Sequence, residues 1–147
     1  KKLGRIERPS QRVTKNRRDQ VRGAGWEFVF VAIDDHPRLA YSALQVDERG
    51  ESAVAFLEAA LAYYQRLGIR VQRVMTDNGS GYVSRLFAKA CRLLRLRHLR
   101  TRPYTPKTNG KAERFIQTAL RERAYARSYD RSEQRGRHLA GWLHQYT

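Results

Sequence analysis

At 147 residues, with 41% hydrophobic and 30% charged side chains, the chain has the length and composition of one soluble globular domain with a real core. No apolar stretch approaches the roughly 20 residues that a membrane span needs, and the N-terminus is polar and basic, unlike a signal peptide. The lone Cys91 excludes an internal disulfide and suits a reducing cytoplasm.

The formal net charge of +16 is unevenly spread: residues 1–25 carry +7, residues 26–94 sum to zero and residues 95–127 carry +8. Two basic segments around a neutral core suit a polyanion, because Lys and Arg contacts to phosphates release counterions and give sequence-independent affinity. Charge alone leaves DNA, RNA and a merely solvated basic surface open.

Along the chain, residues 7–25 read as a loop or extended insertion, broken by Pro9, Ser10, Asn16, Gly23 and Gly25. Phe28 to Ile33 is a short continuous apolar run whose β-branched and aromatic content predicts a buried strand, ending at Asp34-Asp35. His36-Pro37-Arg38 is a turn, and Leu39 to Val46 completes a hairpin. Ser52 is the expected cap of a helix to Leu67, with Val54, Leu57, Leu61 and Tyr64 on one face and Gly68 as its terminator.

Val71 to Thr76 is a further strand, followed by Asp77-Asn78-Gly79-Ser80-Gly81. Ser84 to Leu94 reads as a helix in which Cys91 is a buried thiol, and His98 to Thr101 as a short strand. Tyr104 to Gly110 is a polar loop before a helix from Lys111 to about Tyr125, and a last helix is expected over Ser132 to Tyr146. The order implies a single α/β or α+β domain over residues 1–147, with helical layers on a sheet.

Asp77 directly follows a buried strand, the position where α/β folds gather ligands and catalytic groups. Asp-Asn-Gly is also a common turn, so the residue alone does not decide. Glu113 falls in the first turns of a helix that Thr108 or Asn109 could cap, where the bland alternative is a glutamate that merely favours the helix dipole. Thirty-five residues separate the two acids. Glu113, Gln117 and Arg121 lie four apart and share a face, leaving Phe115, Ile116 and Leu120 for the core. His36, His98, His138 and His144 build no rival site, and one cysteine gives no zinc-finger spacing.

Three segments then carry a resemblance. Ala32-Ile33-Asp34-Asp35-His36-Pro37-Arg38, Met75-Thr76-Asp77-Asn78-Gly79-Ser80 and Arg102-Pro103-Tyr104-Thr105-Pro106-Lys107-Thr108-Asn109-Gly110-Lys111-Ala112-Glu113-Arg114-Phe115 fall in order over most of the chain. Together they resemble the integrase catalytic core of bacterial insertion-sequence transposases, relatives of retroviral integrase. The resemblance implies a ribonuclease-H-like mixed sheet of about five strands flanked by helices. It makes Asp77 and Glu113 the second and third members of a metal-binding Asp-Asp-Glu triad. Two Mg²⁺ ions, replaceable by Mn²⁺, are the implied cofactors for phosphodiester cleavage and strand transfer.

In the family the first aspartate stands just before a segment resembling Lys1-Lys2-Leu3-Gly4-Arg5, and the chain begins at that segment. The expectation is therefore a core shortened at both ends and, as it stands, inactive. Asp34 and Asp35 match a different position and do not replace the missing acid. Lys107, Lys111, Arg114, Gln117 and Arg121 are the expected DNA contacts, to transposon ends and target. A homodimer or higher multimer and a bacterial cytoplasm follow from the resemblance. The competing readings are a non-catalytic DNA-binding remnant, a ribonuclease-H-like nuclease and, last, a general RNA-binding module, which leaves the motifs and their spacing unexplained.

Overall fold

The structure is a computed structural model that describes residues 2–4, 26–34, 39–102, 110–119, 121, 133–135 and 137. The elements in chain order are β1 (Lys2–Gly4), β2 (Trp26–Ile33), β3 (Ala40–Gln45), α1 (Gly50–Arg66), β4 (Arg73–Thr76), α2 (Arg85–Leu93), β5 (Arg97–Arg100) and α3 (Gly110–Ala119). β1, β2 and β3 form an antiparallel sheet in that order, with Lys2 opposite Phe28 and Val29 opposite Leu44. β4 and β5 pair in parallel, with Arg73 opposite Arg97 and Thr76 opposite Arg100. The described strands thus form a three-stranded and a two-stranded sheet within a mixed α/β fold.

The run Phe28–Ile33 is apolar throughout because β2 is covered on both faces. Phe28, Phe30 and Ala32 join the main core with Phe56 and Leu57 of α1, Phe87 and Cys91 of α2, and Leu96. Val29 and Val31 turn the other way, towards Leu44 and Ile116, while Ile33 packs on Ala40 and Phe115. Edge-to-face rings reinforce the first face, with Phe30 and Phe56 centroids 5.4 Å apart. The hairpin joining β2 and β3 is closed by the Tyr64 hydroxyl, 3.1 Å from the Ala32 carbonyl and 3.0 Å from that of Leu39. Burial, and then the nearby Asp34 charge, push this phenol well above its ordinary pKa.

Helix α1 begins earlier than the expected Ser52 cap. Its N-cap is Arg49, which makes no side-chain capping bond, and Ser52 lies inside the helix. The physical reason is Asp47, whose Oδ1 accepts from the Arg49 amide at 2.9 Å and from the Ser52 hydroxyl at 2.6 Å. The carboxylate just ahead of the helix organises the entry, so the serine is free to point back to it. At the other end Gly68 has φ +76, with its amide donating to the Gln65 carbonyl and the Ile69 amide to that of Tyr64. That pair of bonds is the Schellman stop expected of a glycine at this position.

Ser84 caps α2 as expected, accepting from the Phe87 amide at 3.1 Å. β4 is shorter than Val71–Thr76, because Gln72 contributes only a carbonyl, which accepts from the Arg97 amide at 3.0 Å. Cys91 is buried, and burial pushes its thiol up. Helical residues recur at 133–135, where Arg135 donates to Glu27 Oε2 of β2 at 2.9 Å with its own side chain 4% exposed. The loop over 7–25, the turn His36-Pro37-Arg38, the caps Thr108 and Asn109, Leu120 and most of the expected last helix lie outside the described residues. No helix among the described residues is long and apolar enough to cross a membrane.

Candidate active site

β4 ends at the buried Thr76 and delivers Asp77 into an exposed loop at the carboxyl end of the β4–β5 pair. That loop is held by its own polar groups. Asp77 Oδ1 accepts from the Gly79 amide at 2.8 Å, the Asx geometry that Asp-Asn-Gly favours. The Asn78 side-chain amide donates to the Thr101 carbonyl at 2.8 Å, and the Thr101 amide donates to the Thr76 carbonyl at 2.9 Å. The loop therefore stays stitched to the residue that follows β5.

Two glycines allow the close approaches this requires. A Cβ on Gly79 would lie 3.0 Å from Asp77 Oδ1, and one on Gly81 would lie 2.6 Å from the Glu48 carbonyl oxygen. Gly81 thus lets the loop pass against the entry to α1, while the Ser84 hydroxyl donates to the Gly81 carbonyl at 2.7 Å. Tyr82 packs between Phe30 and Phe87, with centroids 6.1 Å and 5.3 Å away. Burial first, then the charges of Asp77 and Glu48, push its phenol up to about 12, which keeps it neutral beside the carboxylate.

His98 of β5 lies on the opposite side of the same strand end. Its Nε2 is 2.8 Å from Thr76 Oγ1, and its ring meets Phe87 edge-on at 5.0 Å. Burial and, second, the Arg100 charge hold its pKa below the ordinary imidazole value. Nothing in the linear sequence marks His98 or Tyr82 as neighbours of Asp77. The parallel register that brings residues near 76 and 100 together is a tertiary fact, and His98 reads from the sequence only as a surface or packing residue.

Glu113 falls in the first turn of α3, as expected, and is exposed. The helix is anchored by Phe115 and Ile116 on β2 and β3, which leaves Glu113, Arg114, Gln117 and Arg121 solvent-facing. Lys107 lies outside the described residues, as does the side chain of Lys111. Asp77 and Glu113 therefore arrive from different elements by different means: one from a hydrogen-bonded loop, the other from a packed helix. Among the described residues no three His, Cys, Asp or Glu side chains form a metal-holding group. Two exposed carboxylates nonetheless supply the hard oxygen donors that a hydrated magnesium ion accepts.

Family models described as Integrase core domain match residues 14–106 and 94–147. The chain belongs to the integrase core domain family. It is 31% identical over 88 residues to the Gag-Pro-Pol polyprotein of Mason-Pfizer monkey virus, covering 60% of the chain and 5% of that polyprotein. Over 53 residues it is 42% identical to the retrovirus-related Pol polyprotein from transposon TNT 1-94 of Nicotiana tabacum, covering 36% of the chain and 4% of that protein.

Among solved structures, the integrase core is similar to a chain of the simian T-cell lymphotropic virus intasome in complex with PP2A regulatory subunit B56 gamma. The TM-score is 0.68 at 24% identity, covering 82% of this chain and 42% of that one. The BIV integrase catalytic core domain aligns with TM-score 0.58 at 20% identity, covering 78% of this chain and 71% of that one. These likenesses show a retroviral-integrase-like core fold. The integrase core spans about one-twentieth of the curated polyproteins it matches.

Proposed function

We propose that this integrase core is the catalytic core of a DNA transposase of the Asp-Asp-Glu type, which cuts a phosphodiester at a transposon end and joins the freed 3′-hydroxyl to target DNA. One observation carries the reading: within the two integrase core matches, Asp77 in the first and Glu113 in the second, Asp77 stands exposed at a strand's carboxyl end and Glu113 stands exposed in a helix's first turn. The Asn-Gly-Lys-Ala-Glu context of Glu113 supports the insertion-sequence branch over nucleases that cut without joining.

Both steps are in-line displacements at phosphorus. Water supplies the oxygen in the first and the 3′-hydroxyl in the second, and each expels an alcohol that takes up a proton. Asp77 and Glu113 would hold Mg²⁺, or Mn²⁺ in its place. When bound, two such ions lower the pKa of the attacking hydroxyl and offset charge on the leaving oxygen. The protein's own part is positional. The Gly79 amide fixes one Asp77 oxygen, and the α3 packing fixes the helix that presents Glu113. Arg114, Gln117 and Arg121 on the same helix, with Lys107 and Lys111, would hold DNA phosphates around the acids, and two DNA ends call for a dimer or higher multimer.

The main core is shared by Phe30 of one sheet and by Val74 and Leu96 beside the other, which supports reading both sheets as parts of one ribonuclease-H-like sheet of about five strands.

The test is Mn²⁺-dependent joining of pre-cut DNA ends to a plasmid. The chain, the chain extended by Asp-Thr ahead of Lys1, and the extended chain carrying Glu113→Gln are compared. Joining by the extended chain alone supports the reading. Equal, metal-independent DNA binding by all three without joining replaces it with the DNA-binding remnant.

A further inference from the structure

The Asp77 peptide is itself held, from behind, by a two-step polar relay. Thr76 Oγ1 is 2.9 Å from the Asp77 carbonyl oxygen and 2.8 Å from His98 Nε2. A hydroxyl has one proton. Donated to the Asp77 carbonyl, it leaves only acceptor capacity towards the imidazole, so Nε2 must carry a hydrogen and donate to Thr76 Oγ1. The chain of donors then runs His98 Nε2–H to Thr76 Oγ1–H to the Asp77 carbonyl oxygen.

Thr76 is buried, and His98 is wedged against Phe87, which is 1% exposed. The imidazole therefore has little freedom to turn away. The side-chain carboxylate of the same residue accepts from the Gly79 amide through Asp77 Oδ1, and the Thr76 backbone carbonyl takes the Thr101 amide. The residue is gripped at its carbonyl by a side-chain relay, at its carboxylate by a loop amide and just ahead of it by the strand ladder.

We propose that His98 is a positioning residue: acting through the Thr76 hydroxyl, it fixes the Asp77 peptide and so the direction in which the Asp77 carboxylate is presented. The inference rests on the reading of Asp77 as a metal-holding acid. An imidazole that carries its hydrogen on Nε2 is required, and a group that only fills space against Phe87 would not serve. Partners that orient a ligating side chain typically shift metal affinity by about 10- to 100-fold when removed.

Two readouts on the whole chain separate the relay from the metal reading. In metal-free protein, imidazole ¹⁵N shifts report the His98 tautomer and amide exchange reports the Gly79 N–H held by Asp77. The expected results are an Nε2–H tautomer and Gly79 exchange faster by about tenfold in Thr76→Val and His98→Phe. With Mn²⁺ alone as the probe, each of those variants should bind about tenfold more weakly, and the double variant no more weakly than either single one. Thr76→Ser and His98→Gln keep a hydroxyl and an N–H donor, and should bind within about threefold of the parent.

An Nδ1–H tautomer in the parent chain overturns the relay without any variant needing to fold. Unchanged Gly79 exchange and Mn²⁺ affinity in a folded Thr76→Val overturn it as well, as does His98→Gln failing as badly as His98→Phe. If the parent chain and Asp77→Asn bind Mn²⁺ equally, it is the metal reading of Asp77 that fails, while the tautomer and the Gly79 exchange still report on the relay.

Discussion

The two candidate acids are secured by opposite physics. Asp77 sits in a loop held by directional bonds from Gly79, Asn78 and Thr76, each between 2.8 and 2.9 Å. Glu113 makes its entry on a helix held by apolar burial, with Phe115 5% exposed against Ala40 and Ile33. Hydrogen bonds fix the direction of a group, whereas apolar contacts are non-directional and fix an element's position through close packing. The loop should therefore hold its carboxylate in one orientation, while the orientation of Glu113 is set only through the placement of its helix.

The largest expected effect removes the chemistry and spares the fold. Asp77→Asn or Glu113→Gln, in the chain extended ahead of Lys1, should lower strand joining by roughly 10³-fold or more with Tm unchanged. Both residues are exposed, so a large fall in Tm would show that one of them has a structural role instead. Next comes the anchor of the helix. Phe115→Ala should cost about 3–5 kcal/mol in urea unfolding and raise hydrogen exchange in α3 while leaving the 77–84 loop protected. Equal loss of protection in both regions would erase the distinction between them.

Gly81→Ala probes the loop from its tight side. The added methyl would meet the Glu48 carbonyl oxygen at 2.6 Å, and backbone must yield, at about 1–3 kcal/mol. Ser84→Ala removes the α2 cap and the bond to the Gly81 carbonyl, and about 1 kcal/mol is expected from the same unfolding curves.

The smallest effect is a pH slope. Tyr82 ionises in the unfolded chain near its ordinary value of 10.0, while burial and the charges of Asp77 and Glu48 raise it to about 12 in the fold. The unfolded state therefore loses the proton first, and the Tyr82 contribution to stability is full below pH 10 and declines from there to pH 12. Melting curves over that window should be less steep in pH for Tyr82→Phe than for the parent chain.

Much of the fold was legible in the sequence, because β2, α1 and α2 obey strong local rules. A continuous apolar run, a three-four spacing and a terminal glycine need no tertiary information, and Gly68 and Ser84 do what their residue types favour. The start of α1 was not legible, since Asp47 and Ser52 both suit a cap and only the folded entry lets Asp47 accept two bonds. Asp77 and Glu113 stood out through the residues beside them. His98 did not, because its meaning depends on the parallel pairing of β4 with β5, and no local pattern sets a register between strands 20 residues apart.

The central claim is that Asp77 and Glu113 serve the same ions, and a double-mutant cycle in Mn²⁺ affinity tests it most directly. The account predicts that Asp77→Asn and Glu113→Gln each weaken binding by about tenfold or more, with the double variant far less weakened than the product of the two. Single variants that bind as the parent does, or losses that simply multiply, would contradict it.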